Sequence, residues 1–273
     1  MMDRRQGGGE VTALTGRTIL AVFAHPDDES IACGGTLARA ADAGARVVLM
    51  CASHGTLGSV SDTLLLVDGD LSATRAQELS AAACALGLSE VELLDHADGY
   101  LRWNAPAFDD DLIAALRRYR PDAVITFDTD GLYWHGDHIG VHERTTGAVA
   151  ALGGAAPPLY YVTMPHGAMR GLVESARARV GPLADNTFWG IVPDAFGSAS
   201  EPPTFTVDVR DWVDQKLTAI RCHRTQVGPR SPFAMIDGAD ARRWLGLELF
   251  RRSQLEASGP DLLESLAERA ANS

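Results

Sequence analysis

Two short segments collect the side chains that bind metals and move protons: Ala24-His25-Pro26-Asp27-Asp28-Glu29 and His135-Gly136-Asp137-His138. A catalytic zinc ion commonly takes three protein ligands from histidine and carboxylate and keeps a fourth position for water. The two segments supply such a set with carboxylates to spare, and the spare groups suit proton transfer. A lone aspartate ahead of a helix usually does no more than cap it, and Asp28 or Asp137 taken singly fits that description. Capping leaves the histidines unexplained. Two histidines flanking Gly-Asp, together with His-Pro-Asp-Asp, are expected to form a mononuclear metal site.

Such a site needs elements that bring the segments together. Residues 18–24, 46–52, 91–94, 122–127 and 159–163 are short, rich in branched apolar residues and bounded by turn signals, which predicts strands. Residues 30–43, 74–86, 109–119 and 138–152 carry apolar residues at helical spacing, and three of these patterns end at Gly44, Gly87 and Gly153, where a helix C-cap is expected. The alternation predicts an α/β fold, a Rossmann-like doubly wound and mostly parallel sheet covered on both faces, with a loop-rich C-terminal part. In that fold ligands gather at the carboxyl ends of strands where strand order reverses, so the first and fourth strands would lie side by side and their loops would converge. Pro26 favours an extended backbone at His25, and Asp27, Asp28 and Glu29 then fall at a helix start, where free N–H groups attract carboxylates. Residues 1–16 read as a disordered tail and 17–273 as a single domain. Within it, 165–203 is rich in Gly, Pro and Ser with lone aromatics and is expected to be a loop over the substrate. A further strand is expected at 204–209 and a helix at 211–226.

Composition narrows the function classes. The chain has 273 residues, 46% of them hydrophobic and 22% charged, which is enough to bury a site away from water. Its formal charge of −12 argues against nucleic acid or an anionic membrane as partner, since both call for clustered Lys and Arg. No run approaches the length of a membrane span and no leader-like apolar stretch opens the chain, so the expected location is cytoplasmic. Cys33, Cys51, Cys84 and Cys222 lie far apart in apolar stretches and read as buried, reduced thiols. His54, His96 and His166 stand alone in loops without a ligand partner, His142 fits the face of a helix beside the site, and His223 shares a face with Ile220 and reads as a hydrogen-bonded core or supporting histidine.

The motif Ala24-His25-Pro26-Asp27-Asp28-Glu29 with the later His135-Gly136-Asp137-His138 resembles the signature of the LmbE/PIG-L zinc deacetylases, which remove acetyl from N-acetylglucosaminyl groups. The likeness runs over most of the chain: Arg75-Ala76-Gln77-Glu78 resembles the family's R-x-x-E element, Asp98-Gly99 its D-G after the third strand, and Lys216 through His223 to Gln226 its closing helix. Tyr133 matches a tyrosine of mycothiol-pathway members. His54-Gly55-Thr56-Leu57-Gly58 departs from the pattern, because relatives commonly carry a Glu in that loop.

The resemblance implies that His25, Asp28 and His138 bind one Zn2+ and that Asp27 is the general base on water acidified by the metal. It implies that His135, oriented through Asp137, stabilises the oxyanion or protonates the leaving amine, with the choice between Asp27 and His135 as the final proton donor left open. Arg75, Asp98, Tyr133 and Trp134 are then substrate contacts. The alternative for Arg75 is an ion pair with Glu78, and for Asp98-Gly99 a simple turn. The expected substrate is a small-molecule N-acetylglucosaminyl glycoconjugate, with a glycopeptide-antibiotic pseudoaglycone of the teicoplanin type as the main reading and a mycothiol-pathway deacetylase or amidase as the alternative. Two other classes compete. One is a non-haem iron oxygenase, whose H-x-D…H triad His25-Pro26-Asp27 also matches, and the other is a non-catalytic sugar-binding module holding a structural metal. The first sits on a double-stranded β-helix, and the second leaves Asp27 without a purpose.

Overall fold

The computed structural model describes residues 13–181, 188–197, 199 and 201–270. The expected tail, 1–16, lies for the most part outside the described residues. Of its last residues, Leu14 is buried and its N–H donates to Ala43 O.

In chain order the elements are β1 (Thr18–Phe23), α1 (Asp28–Asp42), β2 (Arg46–Cys51), α2 (Leu71–Leu86), β3 (Glu90–Leu93), α3 (Pro106–Tyr119), β4 (Ala123–Phe127), the short turn α4 (Gly131–Trp134) and α5 (Gly136–Ala150). Next come β5 (Leu159–Thr163), α6 (Ala168–Val180), β6 (Phe205–Asp208), α7 (Val213–Cys222), α8 (Pro232–Met235), α9 (Gly238–Leu245), β7 (Leu247–Arg252) and α10 (Leu262–Ala270). The seven strands form one sheet in the order β3-β2-β1-β4-β5-β7-β6. The first five are mutually parallel, while β7 runs antiparallel to both β5 and β6. The expected doubly wound, mostly parallel sheet is therefore present. Its central strands β1, β2, β4 and β5 are almost wholly buried, as parallel strands covered on both faces must be, and Phe23 and Phe127 pack edge to face across the core at 4.9 Å. Strand order reverses at β1, which pairs with β2 on one side and β4 on the other with Ile19 beside Ala123.

The C-terminal part holds more regular structure than the sequence pattern predicts. Strand β7 escaped notice because Glu248, Arg251 and Arg252 interrupt its apolar character, and two of these charges are satisfied inside the fold. Arg251 forks onto the buried carboxylate of Asp128, and Glu248 meets Lys216 Nζ at 2.6 Å with both side chains almost wholly buried. Glu248 also accepts the N–H groups of Gly35 at 2.9 Å and Thr36 at 2.7 Å. Those donors are free because α1 is broken at Cys33, where φ is −146°, so a strand carboxylate caps the restarted helix. Helix α6 lies within 165–203 and was masked by Gly167, Gly171 and Gly181. At Gly171 the reason for glycine is close approach, since a Cβ there would fall 2.3 Å from the Trp244 ring. Among the cysteines, Cys33 and Cys51 are buried as expected, but Cys84 is exposed and Cys222 half-buried.

Candidate metal and catalytic site

The loops after β1 and β4 meet at the strand-order reversal and bring His25, Asp27, Asp28, His135, Asp137 and His138 into one cluster. His25, Asp27, Asp28 and His135 border a cavity of about 400 Å³ whose wall also includes Arg75, Asp98, Tyr133, Trp189 and Phe196. Ring nitrogens of His25, His135 and His138 lie within 4.8 Å of one another.

Asp28 sits between two of these histidines. One carboxylate oxygen accepts the backbone N–H of His25 at 2.7 Å and lies 3.4 Å from its Nδ1, while the other lies 3.2 Å from His138 Nε2. His138 is fully buried, stacked on Phe127 with centroids 4.1 Å apart, and its Nδ1 is 3.1 Å from Gly131 O. That carbonyl can only accept, so the proton is on Nδ1 and Nε2 carries a bare lone pair. His138 Nε2 has no hydrogen-bond partner despite its burial. A buried lone pair facing a carboxylate is costly unless a cation lies between them, so the donor set fits a divalent metal. His25 is built the same way. Its Nε2 faces Asp98 at 3.1 Å and Asp137 at 3.3 Å, which leaves Nδ1 to face Asp28 and matches the carboxylate-histidine pairing that supports metal-binding imidazoles. Burial works to lower the His25 ring, yet Asp137, Asp28 and Asp98 together hold it well above an ordinary histidine. Burial likewise raises the Asp28 carboxyl, but His138 and His25 bring it well below the usual carboxylate range.

Asp27 is at the mouth of α1, and its side chain makes no capping bond. Its φ of 126° is rare for a residue with a side chain and costs on the order of 1–3 kcal/mol. Neighbouring bonds offset that strain: its N–H donates to Glu29 Oε2 at 3.0 Å, and Arg75 Nη2 lies 3.3 Å from its carboxylate. Burial pushes the Asp27 carboxyl up to about 6, opposed by Arg75. Behind it, the fully buried Glu29 also accepts from Ser30 Oγ and from His223 Nε2 at 2.9 Å. His223 is thus the supporting histidine expected, whereas Glu29 as its partner could not be read from sequence.

His135 Nδ1 accepts the backbone N–H of Asp137 at 3.3 Å, so in the neutral ring the proton is on Nε2. Burial, with His138 and His25 adding to it, holds this ring down to about 4. The expected orientation of His135 through the Asp137 carboxylate does not hold. That carboxylate accepts from Gly99 N at 2.6 Å and Leu101 N at 3.0 Å and faces His25 instead, because the turn at Gly99, with φ of 82°, aims two backbone donors at it.

Arg75 is not ion-paired with Glu78. It is buried, donates to Gly55 O at 2.6 Å and to Pro26 O at 2.5 Å, and borders the cavity. Glu78 instead accepts from Thr225 N at 2.8 Å and Thr225 Oγ1 at 2.6 Å. Asp98 accepts from Leu57 N at 2.6 Å as well as facing His25, and its carboxyl drops to about 2 because His25 and Leu57 outweigh partial burial. Tyr133 lines the cavity, but Trp134 does not: with φ of 67° its side chain turns outward and is 58% exposed. Gly55, Leu57 and Gly58, from the loop that departs from the family pattern, line the cavity beside Arg75, together with Ser59. At Gly55, where φ is 65°, a Cβ would fall 2.2 Å from Arg75 Nη1, so only glycine lets the guanidinium reach that carbonyl.

With this geometry, residues 20–149 match the family model described as GlcNAc-PI de-N-acetylase (PIG-L). The chain belongs to that family, and it is an N-deacetylase with a His/Asp cluster suited to a metal. It is 33% identical over 86% of its length, and 88% of the relative's, to the 1D-myo-inositol 2-acetamido-2-deoxy-α-D-glucopyranoside deacetylase of Acidothermus cellulolyticus. Among solved structures it resembles the N,N'-diacetylchitobiose deacetylase of Pyrococcus horikoshii, with TM-score 0.59, 25% identity and coverage of 87% of this chain and 84% of that one. A deacetylase involved in teicoplanin biosynthesis shares the fold alone, with TM-score 0.53 and 18% identity over 87% of this chain and 99% of that one. The glycopeptide reading of the sequence gives way on this comparison. Among the described residues no helix is long and apolar enough to cross a membrane.

Proposed function

We propose that the protein hydrolyses the N-acetyl amide of an N-acetylglucosaminyl conjugate with one zinc ion, and that the conjugate is an inositol glycoside of the kind named for its relatives. The observation that carries the reading is the buried, partnerless Nε2 of His138 opposite the Asp28 carboxylate, with Asp27 beside them in a cavity of about 400 Å³. That volume suits a small glycoside. The relatives named for 1D-myo-inositol 2-acetamido-2-deoxy-α-D-glucopyranoside support the same substrate class.

His25 through Nδ1, Asp28 and His138 through Nε2 would hold the metal. When bound, zinc acidifies water and polarises a carbonyl group. Asp27, unprotonated above about pH 6, takes the proton of the attacking water. His135 directs its Nε2–H at the developing oxyanion and is neutral at physiological pH, so it stabilises that charge as a hydrogen-bond donor. Its ring cannot lend Nε2 to the metal while Nδ1 accepts from Asp137, which favours His25, Asp28 and His138 over the all-histidine set. The proton on Asp27 then passes to the leaving amine, and Arg75 beside Asp27 restrains the carboxylate during both transfers. The β-helix on which the iron triad occurs is absent from this sheet, and a module that only binds sugar gives Asp27 no reason to sit strained and buried beside the metal ligands.

The test is acetate release from N-acetylglucosaminides by protein stripped with a chelator and then reloaded. Activity lost on stripping and restored by stoichiometric zinc supports the reading. Undiminished turnover in the stripped protein would rule it out.

A further inference from the structure

Two side chains next to the site, Glu29 and His223, are fully buried and take no part in the hydrolysis as written above. We infer that they are a positioning pair for the reaction: His223 fixes the Glu29 carboxylate, and that carboxylate fixes the backbone of Asp27 so that the base points into the cavity. The inference rests on the proposed role of Asp27 in hydrolysis and adds to it the device that holds Asp27 in place.

The chain of bonds is short and buried throughout. Glu29 Oε2 accepts the Asp27 N–H at 3.0 Å, while Oε1 accepts His223 Nε2–H at 2.9 Å and the Ser30 hydroxyl. His223 lies 194 residues from Glu29, at the C-cap of α7, and its own backbone is pinned there. Its N–H donates to Ile220 O at 3.3 Å, and its carbonyl accepts from Gln226 N at 3.0 Å and Val227 N at 2.7 Å. The ring therefore hangs from a fixed point. Helix α7 also secures α1 a second time, because Lys216, two turns before His223, holds the Glu248 carboxylate that caps the restart of α1 at Gly35 and Thr36. One helix thus steadies both the first turn of α1, where Asp27 stands, and the turn after its break.

The backbone of Asp27 is what needs holding. With φ of 126° and ψ of −27° it occupies a conformation that persists only where its surroundings impose it. Because φ is the rotation about the N–Cα bond, an N–H tied to Glu29 leaves one direction for Cβ and the carboxylate. Once released, φ can return to negative values, and the carboxylate leaves its place 3.3 Å from Arg75 Nη2. Arg75 restrains the charged end of the side chain, and Glu29 restrains the backbone from which it hangs. Packing alone does not account for His223. Its Nδ1 is buried with no partner among the described residues, a desolvation cost that an apolar side chain would avoid. The one hydrogen bond that its ring makes among the described residues goes to Glu29.

The test compares His223→Asn, whose amide is too short to reach Glu29, with His223→Gln, whose amide N–H falls where Nε2–H was. Both are assayed zinc-loaded on 1D-myo-inositol 2-acetamido-2-deoxy-α-D-glucopyranoside. The expected result is a kcat about 10²-fold lower in His223→Asn with KM and metal content unchanged, and within about tenfold of the unaltered enzyme in His223→Gln, since misplacement by an ångström costs about 10²-fold. Added to Asp27→Asn, His223→Asn should cost less than about threefold more, because residues that act as a unit are not additive. Crystal structures of the metal-free variants judge the pair without turnover: Asp27 should leave the left-handed region in His223→Asn and keep it in His223→Gln. A kcat of His223→Asn within about threefold of the unaltered enzyme overturns the inference, as does full multiplication of its loss with that of Asp27→Asn. An Asp27 φ unchanged from 126° in His223→Asn overturns it as well. Should His223→Asn not fold, Glu29→Asp, which draws the carboxylate back by one methylene, is read by the same criteria. If the unaltered protein hydrolyses no N-acetylglucosaminide, the reading of the reaction has failed, and the crystallographic criterion alone decides the positioning pair.

Discussion

Replacing Asp27 by Asn separates binding from chemistry with the least disturbance, since the side chains are nearly the same shape. The Asp27 carboxylate is neither a link in the His25, Asp28, His138 cluster nor a helix cap, so the variant should keep its metal and its fold. Arg75 retains its bonds to Pro26 O and Gly55 O, which prevents the guanidinium from being left without acceptors. Loss of general-base assistance costs roughly 10²–10⁴-fold in rate, or about 3–5 kcal/mol on the barrier, and kcat should fall by that factor with KM little changed. Stability should move the other way. Burial raises this carboxyl from its ordinary value to about 6, so the folded state pays to keep it charged at neutral pH, and removing the charge should stabilise the metal-free protein by ~1–3 kcal/mol at pH 7. That gain should vanish at acid pH, where both folded and unfolded chains protonate Asp27. The assay pairs amine release with metal content by mass spectrometry and a melting curve. Turnover within about threefold of the unaltered enzyme at full metal occupancy would refute the assignment of the base.

Four further outcomes follow from the same geometry. His138→Ala should lose most of its bound metal, whereas His135→Ala should keep it and lose roughly 10²–10³-fold in kcat, as removal of an oxyanion donor does; metal analysis and initial rates check both. The pH profile of kcat/KM should fall on the acid side below about 6 as Asp27 protonates, with bound cation moving that limb lower, and His135, held down to about 4, should add no limb between about pH 5 and 8. Lys216→Met should destabilise the fold by roughly 3–5 kcal/mol in denaturant titration, because Glu248 then keeps a buried charge with only the Gly35 and Thr36 N–H groups as partners. Gly55→Ala should displace Arg75 and lower activity with the metal retained, since the new Cβ occupies the path of the guanidinium at a φ that alanine resists.

The sheet, its reversal point and the converging histidines were legible because each depends on local pattern: branched runs for β1, β2, β4 and β5, and dense clusters at 24–29 and 135–138. What stayed hidden joins distant elements. Nothing near Glu29 in sequence points to His223, and Glu248 looks like an ordinary surface charge until Lys216 and the broken turn of α1 are seen around it. The partner of Asp137 was misjudged for the same reason. Proximity in sequence favoured His135, but the turn at Gly99 and Leu101 draws the carboxylate towards His25. Trp134 shows the limit of reasoning by adjacency, since a left-handed backbone sends it outward beside a neighbour, Tyr133, that faces the cavity.

The central claim, metal-assisted removal of acetyl from a glucosaminyl conjugate, is tested most directly by incubating the zinc-loaded protein with 1D-myo-inositol 2-acetamido-2-deoxy-α-D-glucopyranoside and following the mass of the sugar. The account predicts a product lighter by one acetyl group, formed with an equal amount of acetate and roughly 10²–10⁴-fold more slowly when Asp27→Asn replaces the enzyme. Recovery of the glycoside intact from fully metallated, folded protein would contradict it.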